Sequence, residues 1–153
     1  MLYDMSIKII TVGNKLSSET LTIITNYTRR LPRNISVTWV VQKHADGDVA
    51  SSKQQESDNI LRAIKPDDFV ILLDETGKQF TSVELSEIIF KDNSNLVFII
   101  GGSYGVAELV FSRAQITWSL SKLVFPHQLV RILLSEQIYR AYTISVGHPY
   151  HHS

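Results

Sequence analysis

Cysteine is absent from the 153 residues, which excludes disulfides, thiolate metal sites and cysteine nucleophiles and agrees with a reducing compartment. Net charge is absent too. Fifteen Lys and Arg balance fifteen Asp and Glu, so the chain lacks the footprint of a protein that grips naked nucleic acid through many phosphates. No apolar run approaches the length that spans a bilayer, and residues 1–8 lack the basic start, apolar middle and small-residue cleavage site of a secretory signal. A soluble, cytoplasmic protein without a membrane partner is expected. There is no P-loop, no dinucleotide fingerprint and no internal repeat. What is present, 44% hydrophobic and 20% charged residues, suits one compact domain over 1–153 that buries its apolar surface without metals or crosslinks. From Gly101 onward the balance tips slightly: Arg113, Lys122, Arg131 and Arg140 stand against Glu108 and Glu136.

Short β-rich runs alternate with helical stretches. Strands are predicted over 6–12, 35–41, 69–74, 96–100 and 116–120. Helices are predicted over 18–30, stopping at Pro32, and over 52–64, before Pro66; a third starts at the capping-box pattern of Thr81 and Glu84, and a short fourth follows Gly105. The last covers 127–145, with Val130, Leu133, Leu134, Ile138 and Ala141 at helical spacing and Ile132, Tyr139, Tyr142 and Ile144 widening the apolar surface. So broad a face points to burial against more than one surface. Segment 42–55, rich in Asp, Ser and Gln, reads as an exposed loop. The alternation gives an α/β fold, a mainly parallel sheet with helices on both faces, centred on the unbroken apolar runs 69–73 and 96–100.

In such sheets ligands sit beyond the carboxyl ends of the strands. Three segments qualify: Leu73-Asp-Glu-Thr-Gly-Lys78, Gly101-Gly-Ser-Tyr-Gly105 and Ser119-Leu-Ser-Lys-Leu-Val-Phe-Pro-His127. The glycines can bring backbone close to a ligand, or simply make a tight strand-to-helix turn. Asp74 and Glu75 are adjacent along an extended chain, point opposite ways and read as a solvated strand end with a turn at Thr76-Gly-Lys78. The tail His148-Pro-Tyr-His-His152 has no cluster of Asp, Glu or Cys at ligand spacing, so no metal is expected there. Pro149 stiffens it, as suits a segment that docks. His127, after Pro126, fits a helix start as well as a site.

Taken together with Ile9-Ile-Thr-Val-Gly13 and Tyr27-Thr-Arg-Arg-Leu-Pro32, these segments, Val130-Arg131, Glu136-Gln-Ile-Tyr-Arg-Ala141 and His148-Pro-Tyr-His151 resemble the ribosomal RNA large subunit methyltransferase H family. These are pseudouridine N3-methyltransferases of 23S rRNA, in the SPOUT superfamily. The likeness runs from Met5, which reads as the natural first residue, to His152. It implies a deep trefoil knot in the carboxyl half, with knot and cofactor pocket at about 70–145 on the family pattern. It also implies S-adenosylmethionine held by Leu73, Gly101, Leu120, Ser121, Lys122, Leu123, Val124 and Phe125.

By the same resemblance the active site forms across a homodimer that acts on 23S rRNA, with the assembled ribosome expected to supply the docking surface for a neutral protein. The methyl group already sits on a positive sulfur, so alignment and water exclusion suffice without a metal. Arg140 is a candidate to hold a phosphate or developing negative charge, Tyr150 and His151 to stack on or hydrogen-bond the extruded base. Arg140 is equally suited to an ion pair with Glu136, its i,i+4 neighbour. Competing readings are a non-catalytic ribosome-associated module of the same fold and a transfer-RNA methyltransferase. Segment 42–55 is less basic than in familiar relatives, and the chain ends Tyr-His-His-Ser where the family usually has a basic residue after Tyr-His.

Overall fold

A computed structural model describes residues 4–91 and 94–152. Met1, at the start of the segment that precedes the family likeness, and Ser153, at the altered carboxyl end, lie outside them. The elements in chain order are β1 (Met5–Val12), α1 (Ser18–Thr28), β2 (Ile35–Gln42), α2 (Val49–Arg62), β3 (Phe69–Lys78), α3 (Ser82–Phe90), β4 (Asn95–Ile100), α4 (Glu108–Arg113), β5 (Ile116–Trp118) and α5 (His127–Ser145). The strands form one sheet in the order β2-β1-β4-β3-β5, and every pairing is parallel.

The central strands are apolar at consecutive positions because both faces of the sheet are covered. Ile7, Ile9, Phe98, Ile100 and Ile71 point to one face, where they meet Leu85 and Ile89 of α3 and Leu134, Ile138 and Ala141 of α5. Ile10, Val12, Val97, Ile99, Val70 and Leu72 point to the other, against Ile60 of α2 and Val110 of α4. On the first face α5 lies against both α1 and α3 as well as the sheet. The breadth of its apolar surface is therefore accounted for within one chain.

Three local readings need correction. The stretch 42–55 is not a loop to its end: α2 begins at Val49, because the Asp48 carboxylate accepts from the Ser51 amide at 2.8 Å. The Asp and Ser residues that suggested a loop are those that cap helices. Nor does the third strand stop in a turn at 76–78. Its pairing with β5 is irregular between Leu73 and Lys78, and Lys78 then pairs with Trp118. Gly77 makes this possible, since a Cβ there would stand 2.6 Å from the Thr117 carbonyl. Finally, β5 ends at Trp118 rather than at Leu120. The capping box at α3 is formed as read: Thr81 Oγ1 accepts from the Glu84 amide and Glu84 Oε2 from the Thr81 amide.

Candidate active site

From β3 the chain steps back towards β1 to form β4 and then crosses β3 to reach β5 at the sheet edge, so the direction of winding reverses there. A reversal of this kind leaves a crevice beyond the carboxyl ends of the strands. There a cavity of about 440 Å³ opens between the ends of β3, β4 and β5 and the first turns of α5, within the size range of small-molecule sites.

Its walls come from three segments. The first is Leu72 to Glu75, at the irregular part of β3. The second is the glycine turn after β4, including Gly101, Gly102 and Gly105. A Cβ on Gly102 would stand 2.6 Å from Glu56 Oε1, so the turn lies directly on α2. Nearby, Ser57 Oγ accepts from the Ala107 amide at 2.8 Å. The third wall is 118–127. The Ser119 amide donates to Lys78 O, the Ser119 hydroxyl to Ser121 O, and the Leu123 amide to Ser121 Oγ. These bonds turn the backbone off the sheet and curl it around the opening.

Leu73, Gly101, Leu120, Ser121, Leu123, Val124 and Phe125 all line the cavity. Lys122, exposed to solvent, is the residue of that predicted set that does not. The cavity also takes in Asp74, Glu75, Trp118, His127 and Val130. Asp74 and Glu75 escaped the sequence reading because a regular strand would point them apart; the irregularity in β3 brings both to one wall. His127 carried two readings, and it fulfils both: it is the first residue of α5 and part of the wall.

Under the pocket sits a polar layer. Arg131, 1% exposed, donates from Nε to Thr11 Oγ1 at 3.1 Å and from Nη1 to Asn14 O at 2.8 Å. No carboxylate pairs with it among the described residues, and burial lowers its pKa. Burial also holds the His127 imidazole below its ordinary 6.5, with the Arg131 charge adding to the effect and a hydrogen bond to the Val12 backbone opposing it. Glu56, almost wholly buried, accepts from the Ala45 amide at 3.0 Å and meets His44 Nδ1 at 3.4 Å. Spacing along the chain gave no sign of this layer, because its members come from β1, α2, α5 and the loop after β2.

The three remaining predicted residues gather elsewhere. Tyr150 Oη donates to Glu136 Oε1 at 3.1 Å, and its ring packs edge-on against Tyr139 at 4.8 Å. The Arg140 guanidinium lies 4.8 Å over the same ring, pairs with Glu136 at 2.7 Å and reaches His151 Nδ1 at 3.1 Å. A guanidinium has no acceptor, so Nδ1 of His151 accepts. The ion pair with Glu136 is thus present within the chain. The hydrogen bond to Glu136 raises the Arg140 pKa, and burial raises that of the Tyr150 hydroxyl. At 1.5 Å per residue, Arg140 lies about 15 Å along α5 from Val130, the last helix residue at the cavity. Pocket and tail cluster occupy different ends of one helix.

No group of His, Asp and Glu that could hold a metal occurs among the described residues, and no helix among them is long and apolar enough to cross a membrane.

The family described as "Predicted SPOUT methyltransferase" matches residues 5–151. A protein of Gloeobacter violaceus named Ribosomal RNA large subunit methyltransferase H is 42% identical over 154 residues, covering 97% of this chain and 99% of that one. Its namesake in Christiangramia forsetii is 40% identical over 156 residues, covering 97% and 99%. A third, from Clostridium botulinum, is 43% identical over 158 residues, covering 96% and 99%. With a parallel sheet wound as described and a likeness spanning nearly its whole length, this chain belongs to the SPOUT methyltransferase family.

Proposed function

We propose that this chain transfers a methyl group from S-adenosylmethionine to N3 of a pseudouridine in 23S ribosomal RNA, on the assembled ribosome, as a homodimer. The observation that carries the reading is the separation just described: a cavity at one end of α5 and a tail of cationic and aromatic groups at the other. In a symmetric pair the tail of one chain serves the cavity of its partner.

The cavity's residues fit the cofactor. Leu73, Leu120, Leu123 and Phe125 offer apolar walls to an adenine ring, and the glycine turn offers backbone close by. Asp74 and Glu75 put carboxylates on the wall, suited to a sulfonium or an ammonium group. When bound, S-adenosylmethionine supplies the activated methyl group. The tail residues then have distinct tasks. Tyr150, whose hydroxyl donates to Glu136 and whose pKa burial raises, serves as donor and stacking surface rather than as base. Arg140, paired with Glu136, offsets negative charge on the base as the N3 proton passes to solvent, and His151 hydrogen-bonds the extruded base. The trefoil knot, with knot and cofactor pocket at about 70–145, a single domain over 1–153 and a cytoplasmic setting belong to the same reading, supported by family membership.

The test is mass spectrometry of rRNA before and after ribosomes lacking the modification are incubated with protein and cofactor. Methylation of N3 on intact ribosomes, with little on a short free hairpin, is the expected result. Equal transfer to the hairpin removes the need for ribosomal docking. No calorimetric binding of S-adenosylmethionine turns the reading to the non-catalytic module.

A further inference from the structure

One feature remains outside the pocket and the tail. Arg29 caps the C-terminal end of α1, Arg30 follows it, and Arg33 lies just beyond Pro32; all three are exposed. None forms an ion pair among the described residues. Arg29 donates to Asn26 Oδ1 at 3.0 Å. Asp4 shares a shallow hollow with Arg33 without pairing to it. In a chain of zero net charge, three neighbouring unpaired guanidiniums are a local concentration of positive charge.

They also adjoin the tail. The Arg30 guanidinium sits 5.6 Å over the Tyr139 ring, which packs against Tyr27 at 6.3 Å and Tyr150 at 4.8 Å, and the Arg140 guanidinium lies 4.8 Å over the Tyr150 ring. Arg30, Tyr139, Tyr150 and Arg140 thus form a continuous cationic and aromatic series. Glu136, the carboxylate bound to this series, is already engaged by Arg140 and Tyr150. A cation at a helix C-terminus favours the helix through its dipole. That accounts for a charge at Arg29, not for Arg33 or for the series leading to the tail.

We infer that Arg29, Arg30 and Arg33 form a track for the RNA phosphate backbone beside the nucleotide held by the tail. The inference rests on the proposed function for the tail's occupant. Guanidiniums without carboxylate partners, interleaved with aromatic faces, suit RNA, whose phosphates pair with the cations and whose bases stack on the rings. The track adds electrostatic affinity where the whole chain has none to offer.

The experiment compares wild type with two triple variants, Arg29→Gln, Arg30→Gln, Arg33→Gln and the corresponding Lys set. Co-sedimentation with intact ribosomes is measured over a salt series, with methyl incorporation, calorimetry of S-adenosylmethionine and sedimentation velocity of the free protein alongside. The Gln set is expected to weaken ribosome binding about tenfold or more and to lower the salt slope by about 2–3, while cofactor affinity and dimer size stay unchanged. The Lys set, which keeps charge and fold, should recover most of the slope. An unchanged slope, or no binding by wild type, overturns the inference. Dissociation of the dimer in the Gln set also overturns it, assigning this face to a second copy. Arginine-dependent binding without any methylation leaves the track standing and sinks the proposed function instead.

Discussion

Arg131 shows how a single residue joins distant parts of the chain. A buried guanidinium with no carboxylate is held by a hydroxyl of β1 and a carbonyl of the turn that follows. Each such charge-assisted bond is worth about 1.5–3 kcal/mol, so Arg131→Ala should destabilise the protein by roughly 2–4 kcal/mol in urea unfolding. Met, which fills the space without a charge to desolvate, should cost less. His127 carries a pH signature. Its folded pKa lies below the ordinary 6.5, so in that window the unfolded chain binds more protons and stability rises with pH. Its contribution is complete above 6.5 and is lost as pH falls towards the lowered folded pKa. The thermal midpoint of the wild type should therefore fall on acidification relative to that of His127→Asn. A parallel pH dependence in both proteins removes this role.

At the scale of elements, two local devices set the pocket's outline. Asp48 starts α2 early, and α2 then supports the glycine turn through Glu56 and Ser57. Loss of an N-cap side chain costs about 1 kcal/mol, and Asp48→Ala should show that loss in chemical denaturation with the fold retained. Gly77 lets β3 rejoin β5 after its irregular stretch. Gly77→Ala forces a methyl group into the Thr117 backbone, and overpacking of this kind costs about 1–3 kcal/mol. Because the same stretch carries Asp74 and Glu75, cofactor affinity measured by calorimetry should fall with stability. A stable variant with wild-type affinity would show that the irregularity does not shape the pocket.

For the whole molecule, the proposed homodimer, with the tail of one chain serving the cavity of the other, makes a quantitative prediction. A tail variant, Arg140→Ala, and a cavity variant, Gly101→Trp, should each be inactive alone. Mixed in equal amounts and allowed to exchange, half of the dimers combine one of each, and each of those has one intact site of two, giving about a quarter of wild-type activity. No recovery from demonstrably mixed dimers argues for a site within one chain. Much of the architecture was legible beforehand because it follows from local rules. Alternating apolar runs and helical periodicity announced a covered parallel sheet, the Thr81 and Glu84 pair announced the start of α3, and α5 runs over the predicted span 127–145. The segments after the strands, read with the family resemblance, likewise pointed to residues that line the cavity, Lys122 excepted. Chain order alone could not bring Asp74 and Glu75 to one wall, seat Arg131 beneath it or lay Arg30 against the tail. Those placements depend on which strands neighbour one another, on a backbone irregularity and on helix packing. Sequence fixes such contacts only through the energy of the entire fold, and no short stretch of residues contains them.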